Sequence, residues 1–313
     1  MNVSVIICTH NPNDAVLSKV IESLRLQTLP KNLWQLLIID NNSAIPLQNS
    51  LDLEWHPNAK IIIEPNLGLS KARLTGVKNA EADLVVFADD DNVLGESYLE
   101  TAFNFHRENP NVGCFGGKSI PVFETTPPKW FFETGINLGC QEYGDDLYIS
   151  NYKAIDFKID SYPIKAPIGT GMIILKNAFL TYLEEVKLDT ERLKLGRKGK
   201  ELTSGEDNDI ILTVVKAGYE IAYLPKLVIQ HLIPKARYTE GYLKRMAYES
   251  NRSWVKVLFI HGIHKKETIS SVRRKYLEIT NWFRVKAWQS KSNYIKWIGL
   301  SGALKGNEEL NDI

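Results

Sequence analysis

The chain has 313 residues, 44% hydrophobic and 24% charged, values of a soluble globular protein with a large core built as two domains or one large α/β unit. A net charge of +1 leaves no global field to draw it onto nucleic acid, so no nucleic-acid partner is expected. Three scattered cysteines, Cys8, Cys114 and Cys140, argue against a disulfide framework or a zinc site and for a cytoplasmic setting, and no apolar run approaches the ~18–20 residues that span a bilayer, so a membrane role has to be peripheral, at its inner face.

The opening stretch MNVSVIICTHN lacks a basic leader and reads as a first strand rather than a signal peptide. VSVIIC is a continuous β-branched run, the pattern of a strand covered on both faces. Residues 14–27 place Val16, Val20, Ile21 and Leu24 at helical spacing. WQLLIID and AKIIIE predict a second and a third strand, GLSKARLTGVKNA a helix with Leu69, Ala72 and Val77 inward, ADLVVFAD a fourth strand, and residues 95–107 a helix. This alternation predicts βαβ units and a parallel sheet. From 119 to 165 the chain is rich in Pro, Gly and aromatics and has little periodicity. Then come a strand in APIGTGMIILK, a helix in EDNDIILTVVKAG closed by Gly218, short strands in YEIAYLP and KLVIQHL, and two or three helices beyond 238.

In an open parallel sheet the ligand crevice lies beyond the carboxyl ends of the strands. Here those ends carry Thr9, His10 and Asn11, then Asp40, Asn41, Asn42 and Ser43, then Asp89, Asp90 and Asp91. Crowded carboxylates repel unless one is protonated or a cation sits among them, and hard oxygen donors suit Mg²⁺ or Mn²⁺. The triple acid therefore reads as a seat for a metal and a diphosphate, with a solvated loop or a cap for the next helix as the plainer alternative. Glu206, Asp207 and Asp209 open another helix, where capping and the macrodipole alone would favour acids.

The segments VSVIICTHN, LLIIDNNS, PNLGLSKARLTG, VFADDDN, GTGMIILK, SGEDNDI and VIQHLIPKARYT stand in an order and spacing that resembles family-two nucleotide-sugar glycosyltransferases, over residues 3–260. The resemblance implies an α/β fold of GT-A type, a Rossmann-like, mixed but mostly parallel sheet with flanking helices, plus a C-terminal helical extension. It divides the chain into a nucleotide-sugar-binding half (1–118), an acceptor-binding half of the same domain (119–235) and a helical region (236–313). It implies an inverting transfer from a UDP-sugar to a hydroxyl acceptor, a glycan, a lipid-linked sugar or another alcohol, with Mn²⁺ or Mg²⁺ as cofactor. Asp91 would hold the metal, with Asp89 contacting the ribose or the metal shell and His231 near metal and diphosphate. Thr9, His10, Asn11, Asn66 and Asp90 would line the donor site, Asp40 would bond the uracil, and Arg73 would sit near the base. Asp207 would be the catalytic base with Glu206 orienting the acceptor or sharing that role, and Trp130, Gly169 and Thr170 would meet the acceptor. The Gln-x-x-Arg-Trp motif and membrane helices of processive synthases do not occur, which favours addition of single residues.

A nucleotidyltransferase would need similar acids, but the place of its Gly-rich basic loop reads CTHNPNDA; a non-catalytic scaffold would have lost the acids. Phe131, Phe132 and Tyr143 suit either loop packing or sugar stacking. The basic loop RLKLGRKGKELTSGED reads as a solvated face that could also close over a diphosphate. Trp282, Phe283, Trp288, Tyr294 and Trp297, mixed with Arg and Lys, suit an interfacial helix on an anionic membrane as well as they suit packing on the catalytic domain.

Overall fold

Period-two alternation along the first strand decides the layering. Val3, Val5 and Ile7 join one hydrophobic core and Ile6 the other, so a run that is apolar at nearly every position is buried on both sides of a sheet. The computed structural model describes residues 1–150, 161–197, 202–265 and 269–312. Its strands are β1 (Val3–Thr9), β2 (Trp34–Asp40), β3 (Ala59–Ile63), β4 (Leu84–Asp89), β5 (Asn92–Leu94), β6 (Val112–Phe123), β7 (Tyr148–Ile149), β8 (Ile173–Leu175) and β9 (Glu220–Ile233). They form one sheet in the order β3-β2-β1-β4-β8-β6-β9-β5, with β7 added beside β9. β1, β2, β3 and β4 pair in parallel, as do β6 and β9, whereas β8 runs antiparallel between β4 and β6 and β5 antiparallel to β9.

Helices α1 (Asp14–Arg25) and α3 (Tyr98–Glu108) cover one face, placing Leu17, Val20, Leu24, Tyr98 and Leu99 in the first core. Helices α2 (Leu69–Asn79), α5 (Lys176–Leu188) and α6 (Glu206–Lys216) cover the other with Ala72, Val77, Phe179, Tyr182, Ile210 and Val214, while a short turn, α4 (Lys129–Phe132), lies in the irregular region. Most of the predicted elements fall where the apolar periodicity puts them, but β5, β6 and α5 have no predicted counterpart, and two predicted elements change. The expected strand in APIGTGMIILK shrinks to β8, because its glycines form a loop toward the cleft. The two strands expected on either side of Pro225 are one, β9; proline removes a ladder donor, and the register slips between Gly116 and Lys118 opposite it before pairing resumes.

Register brings the polar strand ends level. Thr9 pairs with Asp40 and Cys8 with Asp89, so the first, second and fourth strands finish together at one edge. After Asp91 the chain turns into β5, whose Asn92 faces His231 on β9.

The C-terminal region is three helices, α7 (Glu240–Ile260), α8 (Ser271–Arg284) and α9 (Lys291–Glu309). α9 lies along α7, and α8 lies outside α9. The approach of α9 to α7 is very close at Gly302, where a β-carbon would stand 2.1 Å from the carbonyl oxygen of Tyr248.

Candidate active site

A cleft of about 520 Å³ opens at the strand-end edge, and both acid runs line it, Asp89, Asp90 and Asp91 on one side and Glu206 and Asp207 on the other. Gly169, Thr170, His231, Arg237 and the α7 residues Tyr242, Met246, Ser250 and Asn251 complete its walls.

The first run is locked by the β5 turn. The backbone N–H of Leu232 donates to the carbonyl of Asp91 at 2.9 Å, and the amide of Asn92 donates to Asp91 Oδ1 at 2.9 Å. Asp91 Oδ2 then lies 3.4 Å from His231 Nε2 and 3.0 Å from the Arg237 guanidinium, whose NH1 is also 3.0 Å from His231 Nε2. Burial works to raise the Asp91 carboxyl, but His231 and Arg237 outweigh it and hold it below its ordinary value. Burial and the Asp91 charge push Asp89 up, and push Asp90 up to about 6 although the Thr9 hydroxyl donates to it. On the far side of the imidazole, Nδ1 faces Cys140 Sγ at 3.7 Å. Burial works to lower the His231 ring, but Asp91 and Cys140 outweigh it and raise it to about 9, so an imidazolium faces Asp91 and the 3.0 Å approach of Arg237 brings a second cation to the same acid.

The residues fit a divalent cation. Two cis ligands of one small ion, each about 2.1 Å from it, stand about 3 Å apart, close to the Asp91–His231 spacing of 3.4 Å. Among the described residues no three acidic, histidine or cysteine side chains form a ready cage. Asp91 and His231 would be two protein ligands of such an ion, at atoms that the Arg237 guanidinium contacts in this structure.

The second run uses a different counter-ion. Arg73, buried on α2 with its guanidinium over the Phe87 ring, donates to Asp207 Oδ1 at 2.6 Å and lies 3.3 Å from Glu206 Oε2. The N–H of Gly169 donates to Asp207 Oδ2 at 3.0 Å. A β-carbon on Gly169 would lie 2.1 Å from that oxygen, so this close approach requires glycine. Asp207 keeps about a third of its side chain exposed to the cleft, whereas Glu206 is buried. Burial pushes Glu206 up to about 7, against the pull of Arg73. Asp209 points away into the core, where Arg192 binds both its oxygens at 2.8 and 2.9 Å and His261 approaches at 2.6 Å. The N-cap of α6 is Gly205, which has no side chain to bond, and the three acids stand in the first turn, where the macrodipole favours them.

The other expected residues lie as follows. Arg73 pairs with Glu206 and Asp207. Asp40 is buried, and its two oxygens accept the backbone N–H groups of Ser43 and Leu47, so it shapes the loop after β2. Its neighbour Asn41 ties that loop to Glu64, Asn66 and Gly68. Asn11 bonds Ser43 and Ala44, His10 bonds the Asn41 carbonyl, and the Asn66 amide bonds Glu64. Trp130 packs with Phe123 and Phe131 in the third core under Lys291 Nζ at 5.2 Å; the cleft is lined instead by Gly135–Gly139. Tyr143 stacks on Tyr223. In the basic loop Arg192 is a core residue and Arg197 reaches the cleft, while Lys198 and Lys200 lie outside the described residues. Arg237 lies in the segment VIQHLIPKARYT with no local mark of its own, and only the fold brings it to Asp91.

The sequence profile of glycosyl transferase family 2 matches residues 4–182. Among curated relatives, a poly(ribitol-phosphate) beta-glucosyltransferase of Bacillus spizizenii is 24% identical over 84% of this chain and 45% of its own length. A glucosyl-dolichyl phosphate glucuronosyltransferase of Haloferax volcanii is 23% identical over 79% of this chain and 77% of its own. The chain thus spans under half of the Bacillus relative. Among solved structures, S. aureus TarS 1-349 in complex with UDP-GlcNAc aligns over 100% of this chain and 92% of that one with a TM-score of 0.52 at 15% identity. GalNAc-T7 with UDP, GalNAc and Mn²⁺ aligns over 83% of this chain and 48% of that one with a TM-score of 0.56 at 16% identity. The mixed sheet, its flanking helices and the strand-end cleft match the GT-A fold of these neighbours. With the family profile matched over more than half of its length, the chain belongs to glycosyl transferase family 2.

Proposed function

We propose that the chain transfers a sugar from a UDP-linked donor to a hydroxyl acceptor with inversion, using Asp207 as general base. The observation that carries this reading is the single cleft with two unlike carboxylate groups on it, one set beside His231 and Arg237, the other held by Arg73 and Gly169. Solved neighbours that carry UDP-GlcNAc, or UDP with GalNAc and Mn²⁺, support a nucleotide-sugar donor. Relatives named for poly(ribitol-phosphate) and glucosyl-dolichyl phosphate support a glycan, polymer or lipid-linked acceptor.

In this reading Asp91 and His231, with Asp89 next to them, would hold Mn²⁺ or Mg²⁺. Such a cation would supply positive charge that offsets the negative charge growing on the departing UDP. Arg237 and Arg197 line the same cleft and would add positive charge there. Asp207 takes the proton of the acceptor hydroxyl as its oxygen bonds to the anomeric carbon and the bond from that carbon to the β-phosphate oxygen breaks. Arg73 and the Gly169 N–H fix the carboxylate for that role. Glu206, raised toward neutrality, leaves most of the Arg73 charge to Asp207. The loop folded by Asp40, with Thr9, His10, Asn11 and Asn66, frames the nucleoside end.

The test is UDP release from a set of UDP-sugars with Mn²⁺, with and without candidate acceptors, in wild type and Asp207→Asn. The variant is expected to lose ~10²–10⁴-fold in transfer while binding UDP as wild type does. Full residual transfer would remove Asp207 from the mechanism, and no UDP release from any donor would favour a binding protein.

A further inference from the structure

Helix α8 has two opposite faces, and both are occupied by large side chains. The inward face docks on α9: Trp282 meets Trp297 at 4.9 Å and Tyr294 at 5.8 Å, Trp297 Nε1 donates to the Glu278 carbonyl at 2.9 Å, and Arg274 pairs with Glu278 and, at 3.1 Å, with Glu308. The outward face ought to be polar if it met only water. Instead Val272, Tyr276, Ile279 and Phe283 recur every three or four residues, within an arc of roughly 60° on the helix surface. They are 77%, 65%, 60% and 63% exposed, and Trp288 just beyond the helix is 55% exposed. The stripe is bordered by exposed cations, Arg273, Lys275, Arg284 and Lys286. The only acid from 269 to 290 is Glu278, and it is held on the inward side by Arg274.

We infer that the outward face of α8 is a docking surface for an anionic lipid bilayer, with the helix lying in the interfacial plane. Charge decides between occupants. A second copy of this face would bring four cations against four cations, whereas lipid phosphates neutralise them while the acyl chains receive the aromatic and β-branched stripe. Lys and Arg beside such a stripe extend to headgroup level with their stems in the apolar layer. No helix among the described residues is long and apolar enough to cross a membrane, so attachment through this face is peripheral and reversible. The stack of α8 on α9 on α7 ties the surface to the wall of the cleft, which would hold the transferase beside a membrane-borne substrate. The inference itself stands on α8 alone and not on the transfer chemistry.

The experiment is co-sedimentation of the full chain with sucrose-loaded vesicles of phosphatidylcholine alone or with phosphatidylglycerol, at low and high salt. The wild type is expected to pellet with the anionic vesicles and to dissociate as salt rises. Ile279→Glu with Phe283→Glu should weaken partitioning by at least ~10-fold. Replacing Arg273, Lys275, Arg284 and Lys286 by Gln should abolish the preference for anionic lipid. Each substituted side chain is exposed, so the melting temperature should stay within about 2 °C and UDP binding should be unchanged. Equal binding to neutral vesicles, no binding, or full binding by the Glu double variant would overturn the assignment. So would self-association of the wild type without lipid that the same double variant dissolves, because the stripe would then belong to a contact between copies.

Discussion

Two runs of acids face each other across the cleft, and they differ in how their charge is balanced. In the first run Asp91 is answered by His231 and by Arg237, a part-buried side chain on a turn, while Asp89 also feels the charge of Arg73. Glu206 and Asp207 are answered by Arg73, which is buried on a helix and cannot leave without leaving two carboxylates behind. The same local pattern thus meets a part-exposed cation at one site and a buried one at the other.

Four substitutions bear on that contrast. Arg73→Ala should cost ~3–5 kcal/mol, because breaking a buried pair leaves uncompensated charge, and denaturant unfolding would report it. A loss under ~1 kcal/mol would mean that Arg73 is as dispensable as an exposed partner. Glu206 tests the same cluster through pH. Its carboxyl rises from an ordinary 4.5 to about 7 on folding, so the folded state binds the extra proton between those values. Stability from this group is complete below pH 4.5 and is lost as pH climbs through 7. Glu206→Gln should therefore match wild type near pH 4.5 and exceed it above pH 7 by on the order of 3 kcal/mol. Parallel stability curves for the two proteins would remove the proton from Glu206.

Gly169→Ala displaces Asp207 without touching the first run. It should lower turnover ~10²-fold while leaving UDP and Mn²⁺ affinity intact, since a shift of about an ångström in a reacting group is that costly. Asp91→Ala does the reverse: the Mn²⁺-stimulated part of UDP affinity should fall ~10- to 100-fold, by titration with and without the ion, and the melting profile should change little. Equal loss of donor binding in both variants would show that the two runs are one coupled site.

Much of this was legible beforehand. The parallel core β1 to β4 follows from continuous apolar runs between helical periodicities, and the level strand ends follow from that topology. The triple acid stands out because crowded carboxylates repel one another, whereas Asp207 sits where a helix start favours acids and is singled out only through the family resemblance. The counter-ions were not legible. Arg73 and Asp207 are 134 residues apart, and no local rule distinguishes this arginine from a surface one. Arg237 carries no mark in its own turn; only the antiparallel pairing of β5 with β9 brings that turn to Asp91. Asp40 carries a second role that its position did not announce: each of its oxygens accepts a backbone N–H of the following turn. Antiparallel β8 and the continuous β9 depend on tertiary pairing across a glycine loop and a proline, which local patterns read as interruptions.

The contact at Gly302 limits how this cleft can diversify. With α9 backbone against α7 backbone there, α7 has no side-chain cushion to compress and little freedom to slide. Its inner surface is therefore a fixed palisade, so the shape of this wall is set by the side chains of Tyr242, Met246, Ser250 and Asn251 rather than by the position of the helix.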